Sequence, residues 1–288
     1  MRARHVLVVV PAALLITGGL LPAAAQRPLG TRSASGQTVT PVFEGWYENA
    51  DGSYSISFGY FNRNVEEILE IPIGTDNFLD PGEANQGQPA IFHPRRHWGV
   101  FAVNVPADFG NQTIVWTLKI RGKTFSIPAS LHRDWKIDAL KGEVGSGNTP
   151  PVLKFAMDGP EGAGPAGIAS GPHQVSVGEP LSLTVWVRDD GRRSGSVSSD
   201  GREGAPLTLT WFKHQGPGDV VFSETTAEVD AAAGTMAITA TFNEPGSYVL
   251  RVRANDASGV SGGGHAQCCW TNGFVQVTVT QRVRSSAS

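Results

Sequence analysis

Phe242-Asn-Glu-Pro-Gly-Ser-Tyr-Val-Leu-Arg-Val-Arg-Ala-Asn-Asp256 is the stretch whose reading decides the fold. Pro245-Gly246 forms a turn, and from Tyr248 the residues alternate with the period of two that an extended strand imposes. Tyr248, Leu250 and Val252 share one face, whereas Val249, Arg251 and Arg253 share the other, so a half-buried strand is expected. Asn255-Asp256 and the Ala-Ser-Gly that follows close it with a second turn. A short strand bounded so tightly on both sides is an element of a β-sandwich.

Working outward, strands are expected over residues 152–155, 174–177, 181–188, 207–214, 220–224, 236–242, 247–254 and 274–280, which is the number expected of an immunoglobulin-like sandwich. Three stretches rich in Gly, Ser or Pro, residues 158–172, 189–206 and 256–273, read as surface loops. Upstream, residues 139–150 combine Gly and Ser with the pair Pro150-Pro151 at their end and read as a linker. Before it, Tyr54, Ile56 and Phe58 alternate with Ser53, Ser55 and Ser57 behind an Asp51-Gly52 turn, and further strands are expected over 68–73, 99–105, 113–120 and 123–127. The expected organisation is therefore all-β: a β-sandwich over 38–138, the linker, a second and immunoglobulin-like sandwich over 151–282, and a polar tail over 283–288. Residues 26–37 read as a loose leader.

The N-terminus bears on compartment. Arg2 and Arg4 precede an apolar run over 6–21, then Pro22 and Ala23-Ala24-Ala25, the pattern of a secretory signal peptide over 1–25. Its removal takes the 23 basic residues to 21 against 26 acidic ones, a net charge of −5 in place of −3. A mildly acidic chain argues against nucleic acid as a partner, since such binding rests on clustered Lys and Arg neutralising phosphates. No later segment reads as a membrane span, so the expected location is secreted or periplasmic.

The second half resembles the bacterial immunoglobulin-like and polycystic-kidney-disease-type (PKD) modules of secreted proteins. The matching residues are Asn148-Thr-Pro-Pro151, Val177-Gly-Glu-Pro-Leu-Ser-Leu183, Trp211, and Phe242 with Pro245-Gly246 and Tyr248. The resemblance implies that Trp211 is a core tryptophan and that Tyr248 forms a tyrosine corner. Leu250 stands where antibody domains place a cysteine, so apolar packing against Leu183 or Val185 would replace the inter-sheet disulfide. The first half is similar to a β-domain that recurs in secreted bacterial proteins. It carries Phe58-Gly-Tyr60, Asn62, Ile71-Pro-Ile-Gly74, Asp76-Asn-Phe78, Gly87-Gln-Pro89, Trp116 and Leu118. That likeness implies compartment and architecture, with no catalytic activity attached. Modules of both kinds serve as spacers, adhesive units or accessory domains of extracellular enzymes.

Few residues offer chemistry. Cys268 and Cys269 are the only cysteines and are adjacent, so they cannot form an ordinary staple: neighbouring Cα atoms lie about 3.8 Å apart across a trans peptide. A vicinal disulfide, a thiol pair, and a metal or redox role with His265 remain open. His93, Arg95, Arg96, His97 and Trp98 form either a solvated basic turn or a cation and aromatic patch for an anionic glycan or lipid headgroup, and Trp270 is a second ligand-binding candidate. Asp189, Asp190 and Asp256 stand at strand ends, where related sandwiches hold Ca²⁺, the one candidate cofactor. Trp46, Tyr47, Trp98 and Trp135 could form a sugar-stacking platform. No catalytic residue is assigned. The expected role is a non-catalytic binding, adhesion or structural module whose partner is a glycan or a cell-envelope protein; the alternative is an extracellular or periplasmic enzyme or redox protein using the adjacent-cysteine loop.

Overall fold

The structure is a computed structural model in which residues 32–138, 147–192, 207–256, 258–260 and 268–282 are described. The signal-peptide reading of 1–25, most of the 139–150 linker, His265 and the tail 283–288 lie outside the described residues. Among the described residues, apart from one 3₁₀ turn at Arg133–Trp135, the regular elements are strands.

In the first half, β1 (Val39–Glu48), β2 (Tyr54–Asn62) and β6 (Arg95–Val105) form one antiparallel sheet in the order β1-β2-β6. A second sheet runs β4 (Asn77–Asp80), β7 (Ile114–Ile120), β8 (Lys123–Ala129), and β3 (Leu69–Glu70) pairs with β5 (Ile91–Phe92). Phe58, Phe92, Phe101 and Trp116 pack between the layers, Phe101 meeting Trp116 edge to face at 5.1 Å. Asn77 explains most of the recurring motif. It is fully buried, donates to the carbonyls of Ile71 and Pro89 at 2.9 and 2.8 Å, and accepts from the Trp116 indole at 3.0 Å. Asn62 does the same for the carbonyls of Glu67 and Phe92. Those motif residues close turns; they do not face solvent.

In the second half, β9 (Val152–Lys154), β11 (Leu181–Arg188), β13 (Val220–Phe222) and β15 (Gly234–Phe242) make a four-stranded sheet in the order β13-β15-β11-β9. Facing it is a five-stranded sheet, β10-β17-β16-β12-β14, built from β10 (Ile168–Ser176), β12 (Leu207–Gln215), β14 (Thr226–Val229), β16 (Gly246–Asn255) and β17 (Trp270–Thr280). All pairs are antiparallel except β10 with β17. Leu250 shares a core with Leu183 and Val185, and Trp211 is buried in it. The Tyr248 hydroxyl donates to the Glu244 carbonyl at 2.9 Å, four residues back, which is the hydrogen bond of a tyrosine corner. The second half is thus an immunoglobulin-like sandwich held by apolar packing.

Several expectations change. Residues 168–172, read as loop, belong to β10, because Ile168 to Ser170 pair with β17 and the strand resumes pairing at His173 after a bulge. Strands β4, β5 and β14 are too short for periodicity to reveal. The leader is tied down from Ser33 onward: the carbonyls of Ser33 and Ala34 accept from Val65, Glu66 and Glu67, and Glu67 accepts from the Gly36 amide. Asn148, at the end of the supposed linker, is buried, and its amide donates to Asp256 at 2.8 Å. The largest correction concerns the polar strand faces. Arg251 is 2% exposed, and Ser55 and Ser57 are fully buried, because Ser33–Ser288 forms one compact unit in which the sheet of β1, β2 and β6 packs against that of β12, β16 and β17.

Candidate functional site

Of the residues singled out between His93 and Trp98, His93 and His97 lie in the seam between the two sandwiches, each against Phe212. β16 and β12 run antiparallel with Arg251 opposite Phe212, so both side chains stand on the face that the first sandwich covers. The Arg251 guanidinium lies 4.4 Å from the Phe212 ring centre and that of Arg253 5.5 Å, while His93 meets the same ring edge to face at 5.1 Å. His97 stacks on Tyr60 at 4.9 Å. Arg251 donates to Asn272 at 3.1 Å, and Asn272 in turn donates to the carbonyls of Gly99 and Pro165 at 2.7 and 2.8 Å. Among the described residues, no carboxylate pairs with Arg251 or Arg253.

Burial governs the electrostatics of this seam. It pushes the imidazoles down, with Arg251 adding to the effect: His93 to about 4, His97 and His214 to about 3. Burial also lowers Arg251 to about 9 and raises the Tyr60 phenol to about 12. At neutral pH the seam therefore holds neutral imidazoles and a protonated guanidinium. Of the stretch read as either a solvated basic turn or a cation and aromatic patch, every residue from His93 to Trp98 is half-buried. Arg96 is committed to Glu44 at 2.6 Å and lies over the Trp98 ring at 4.8 Å, and Arg95 lies over Phe61 at 5.1 Å. Gly59 is required beside that pair, since a Cβ would stand 2.1 Å from Glu44 Oε1 and 2.3 Å from the His97 carbonyl.

Hydrogen bonds close the rest of the seam. Gln215 donates to the Gln88 carbonyl at 2.6 Å, the Ala90 amide to the His214 carbonyl at 2.8 Å, and the Ala166 amide to the Tyr47 hydroxyl at 2.8 Å. Trp270, offered as a ligand-binding residue, is 1% exposed. Its indole donates to the Gly99 carbonyl at 3.2 Å and lies so near Gly99 that a Cβ there would come within 2.4 Å of it. It is an interface residue because it opens β17 at the rim facing β6.

Cys268 and Cys269 form a vicinal disulfide across a cis peptide, and both are buried. The Asp256 amide donates to the Cys269 carbonyl, which fastens the pair beneath the Asp256 turn. Asp189 and Asp256 lie on that same end of the sandwich. Burial pushes Asp189 up to about 6, with Asp256 and Asp190 contributing, and burial also raises Asp256. Asp190 accepts from Thr149, and Asp256 from Asn148 and Ser258. Among the described residues, no three His, Cys, Asp or Glu side chains gather as a metal ligand set.

Of the proposed aromatic platform, Trp46 is buried and donates to the His132 carbonyl, Tyr47 is committed to Ala166, and Trp135 remains 45% exposed beside Phe43. Sequence reasoning missed Trp186. It stands on the outer face of the four-stranded sheet, above a cavity of about 390 Å³ also lined by Lys154, Met157, Glu161, Arg188 and Thr235. The available signal was the alternation of 181–188, with Val185 and Val187 inward and Trp186 outward.

No protein-family model matches the chain, and no curated protein matches it in sequence. Solved structures give faint likenesses. The D0-D1 domain of intimin is 12% identical with a TM-score of 0.25, covering 84% of this chain and 97% of its own. The fibronectin(III)-like modules of Clostridium thermocellum CbhA are 12% identical with a TM-score of 0.23, covering 87% and 100%. WR4, a C. elegans MSP family member, is 9% identical with a TM-score of 0.24, covering 37% and 90%. Likenesses at these scores carry no functional argument. Among the described residues, no helix is long and apolar enough to cross a membrane.

Proposed function

We propose that this chain is a non-catalytic binding or structural module of the cell exterior or periplasm, in which two β-sandwiches, the second of PKD type, act as one body. The observation that carries the reading is the use of the seam residues. His93, His97, His214, Arg251 and Trp270 are spent on joining the sandwiches, and the imidazoles are held neutral between them. A rigid pair of modules presents its outer faces at a fixed angle, as a spacer or adhesive unit requires. The signal-like segment at 1–25 supports export. Redox or metal chemistry at the adjacent cysteines is disfavoured by the burial of both, since reactive thiols are accessible ones.

The test is binding of the exported chain to glycan arrays and to cell-envelope fractions, repeated with Cys268→Ser/Cys269→Ser. A saturable ligand, with affinity unchanged in the double variant, is expected. Turnover of any substrate that is lost in the double variant would overturn the reading, and no saturable ligand in either panel would overturn its binding half in favour of a structural spacer.

A further inference from the structure

The outer face of the four-stranded sheet carries a site that the seam does not use. Antiparallel register places Trp186 of β11 between Lys154 of β9 and Thr235 of β15, so the indole is flanked on one level by an ammonium and a hydroxyl. One residue pair further along, Arg188 stands opposite Val152 and is paired with Glu161 at 2.7 Å. Met157, 65% exposed, forms one lip, and Ala232, Ala233 and Gly234 form the other. The open groove they line, about 390 Å³, falls within the roughly 300–1,000 Å³ typical of small-molecule sites, and its composition matches theirs: an apolar floor with few polar groups at the edge.

That arrangement selects one chemistry. A pyranose has an apolar C–H face that covers an indole, and its hydroxyls project around its equator, where Lys154 and Thr235 lie. Arg188 and Glu161 offer a donor and an acceptor side by side, which suits neighbouring hydroxyls. The lining holds two cations and one anion. Arg188 is matched by Glu161, whereas the Lys154 ammonium donates to a backbone carbonyl, that of Met157, and keeps its charge for a ligand. We propose that this groove binds a carboxylated pyranose, its ring on Trp186 and its carboxylate on Lys154. The proposal rests on the binding-module reading above and names its ligand class.

The experiment uses the full exported chain, titrated with tetragalacturonate and with its methyl ester, followed by tryptophan fluorescence and calorimetry. Tetragalacturonate is expected to bind about tenfold or more tightly than the ester, as a hydrogen bond to a charged group contributes. Lys154→Gln should remove that difference while leaving the ester unaffected; Trp186→Ala should abolish both and Trp186→Phe should retain both. Because Trp186 points outward, unchanged thermal unfolding of each variant shows that the fold survives. Equal affinity for acid and ester in the wild type would overturn the carboxylate assignment. Binding that persists in Trp186→Ala would overturn the site while leaving the binding-module reading standing. No binding of either sugar would overturn the site alone, unless the glycan and envelope panels are also blank, in which case both readings fall.

Discussion

The two outer faces of the second sandwich carry nearly the same side chains and meet different fates. On the five-stranded sheet, Phe212 and Arg251 are covered by the first sandwich and Arg253 is half-buried beside them. On the four-stranded sheet, Trp186, Lys154 and Arg188 border an open cavity. An aromatic ring between cations is thus a joint on one face and a surface on the other. What separates them is the neighbour. His93 and His97 set their rings against Phe212, with Tyr60 stacked on His97, whereas among the described residues only the low lips at 157–161 and 232–234 border Trp186. Residue type sets what a face can bind; packing decides whether it is already bound.

Acid should break the covered face first, and this is the largest effect expected. His93, His97 and His214 have folded values near 4, 3 and 3, below the unfolded value of about 6.5. Above that value neither state is protonated, and the groups cost nothing. As pH falls from about 6.5, the unfolded or opened state takes up protons that the folded state refuses, so stability falls down to about pH 3. The groups facing them are Arg251 and Arg253, both cationic, with Tyr60 neutral. Asp189, raised to about 6, works against this over part of the range, because protonation favours its folded form. Denaturant midpoints measured across this range should fall steadily, and His93→Gln/His97→Gln should flatten the slope. A pH-independent midpoint would show that the seam is wet.

Next in size is a matched pair of tryptophan truncations. Trp270→Ala removes a buried ring from the seam and should cost about 3–5 kcal/mol. Trp186→Ala, on the open face, should cost less than about 1 kcal/mol. Urea unfolding of both measures the difference directly, and equal losses would erase the distinction between the faces. Tyr248→Phe is smaller again. It deletes the hydrogen bond to the Glu244 carbonyl and leaves the ring in place, so about 0.5–1.5 kcal/mol is expected from the same measurement.

The sequence carried the strands well because each half obeys a period of two and places Gly or Pro at its turns. Tyr248, Leu250 and Trp211 could be given their roles because those roles are local to one sandwich. The seam was not legible, for a definite reason. Alternation says that Ser55 and Ser57, or Arg251 and Arg253, share a face, but it cannot say whether that face meets water or another sheet. The same blindness made His93–Trp98 read as surface and left Trp186 unnoticed among β-branched neighbours. Gly59 and Gly99 held the missing signal: each is a glycine within β2 or β6 where something presses close, the Glu44–Arg96 pair at one and Trp270 at the other.

Arg251→Met is the smallest perturbation to stability and the sharpest test of the comparison. An unpaired guanidinium brought out of water carries a desolvation cost that its stack on Phe212 and its bond to Asn272 only partly offset. Methionine keeps the length and the contact with the ring and discards the charge. At pH 7 the variant should therefore unfold within about 1 kcal/mol of the parent, despite the complete burial of the residue it replaces. Its acid behaviour should change more than its stability. Arg251 is the cation that pushes His93, His97 and His214 down beyond the effect of burial, so its removal lets their folded values rise toward 6.5. The gap between folded and unfolded protonation narrows, and the acid midpoint moves to lower pH. A variant several kcal/mol less stable at pH 7, with an unshifted acid midpoint, would mean that Arg251 acts as a hydrogen-bonding strut and that charge has no part in how this face is closed.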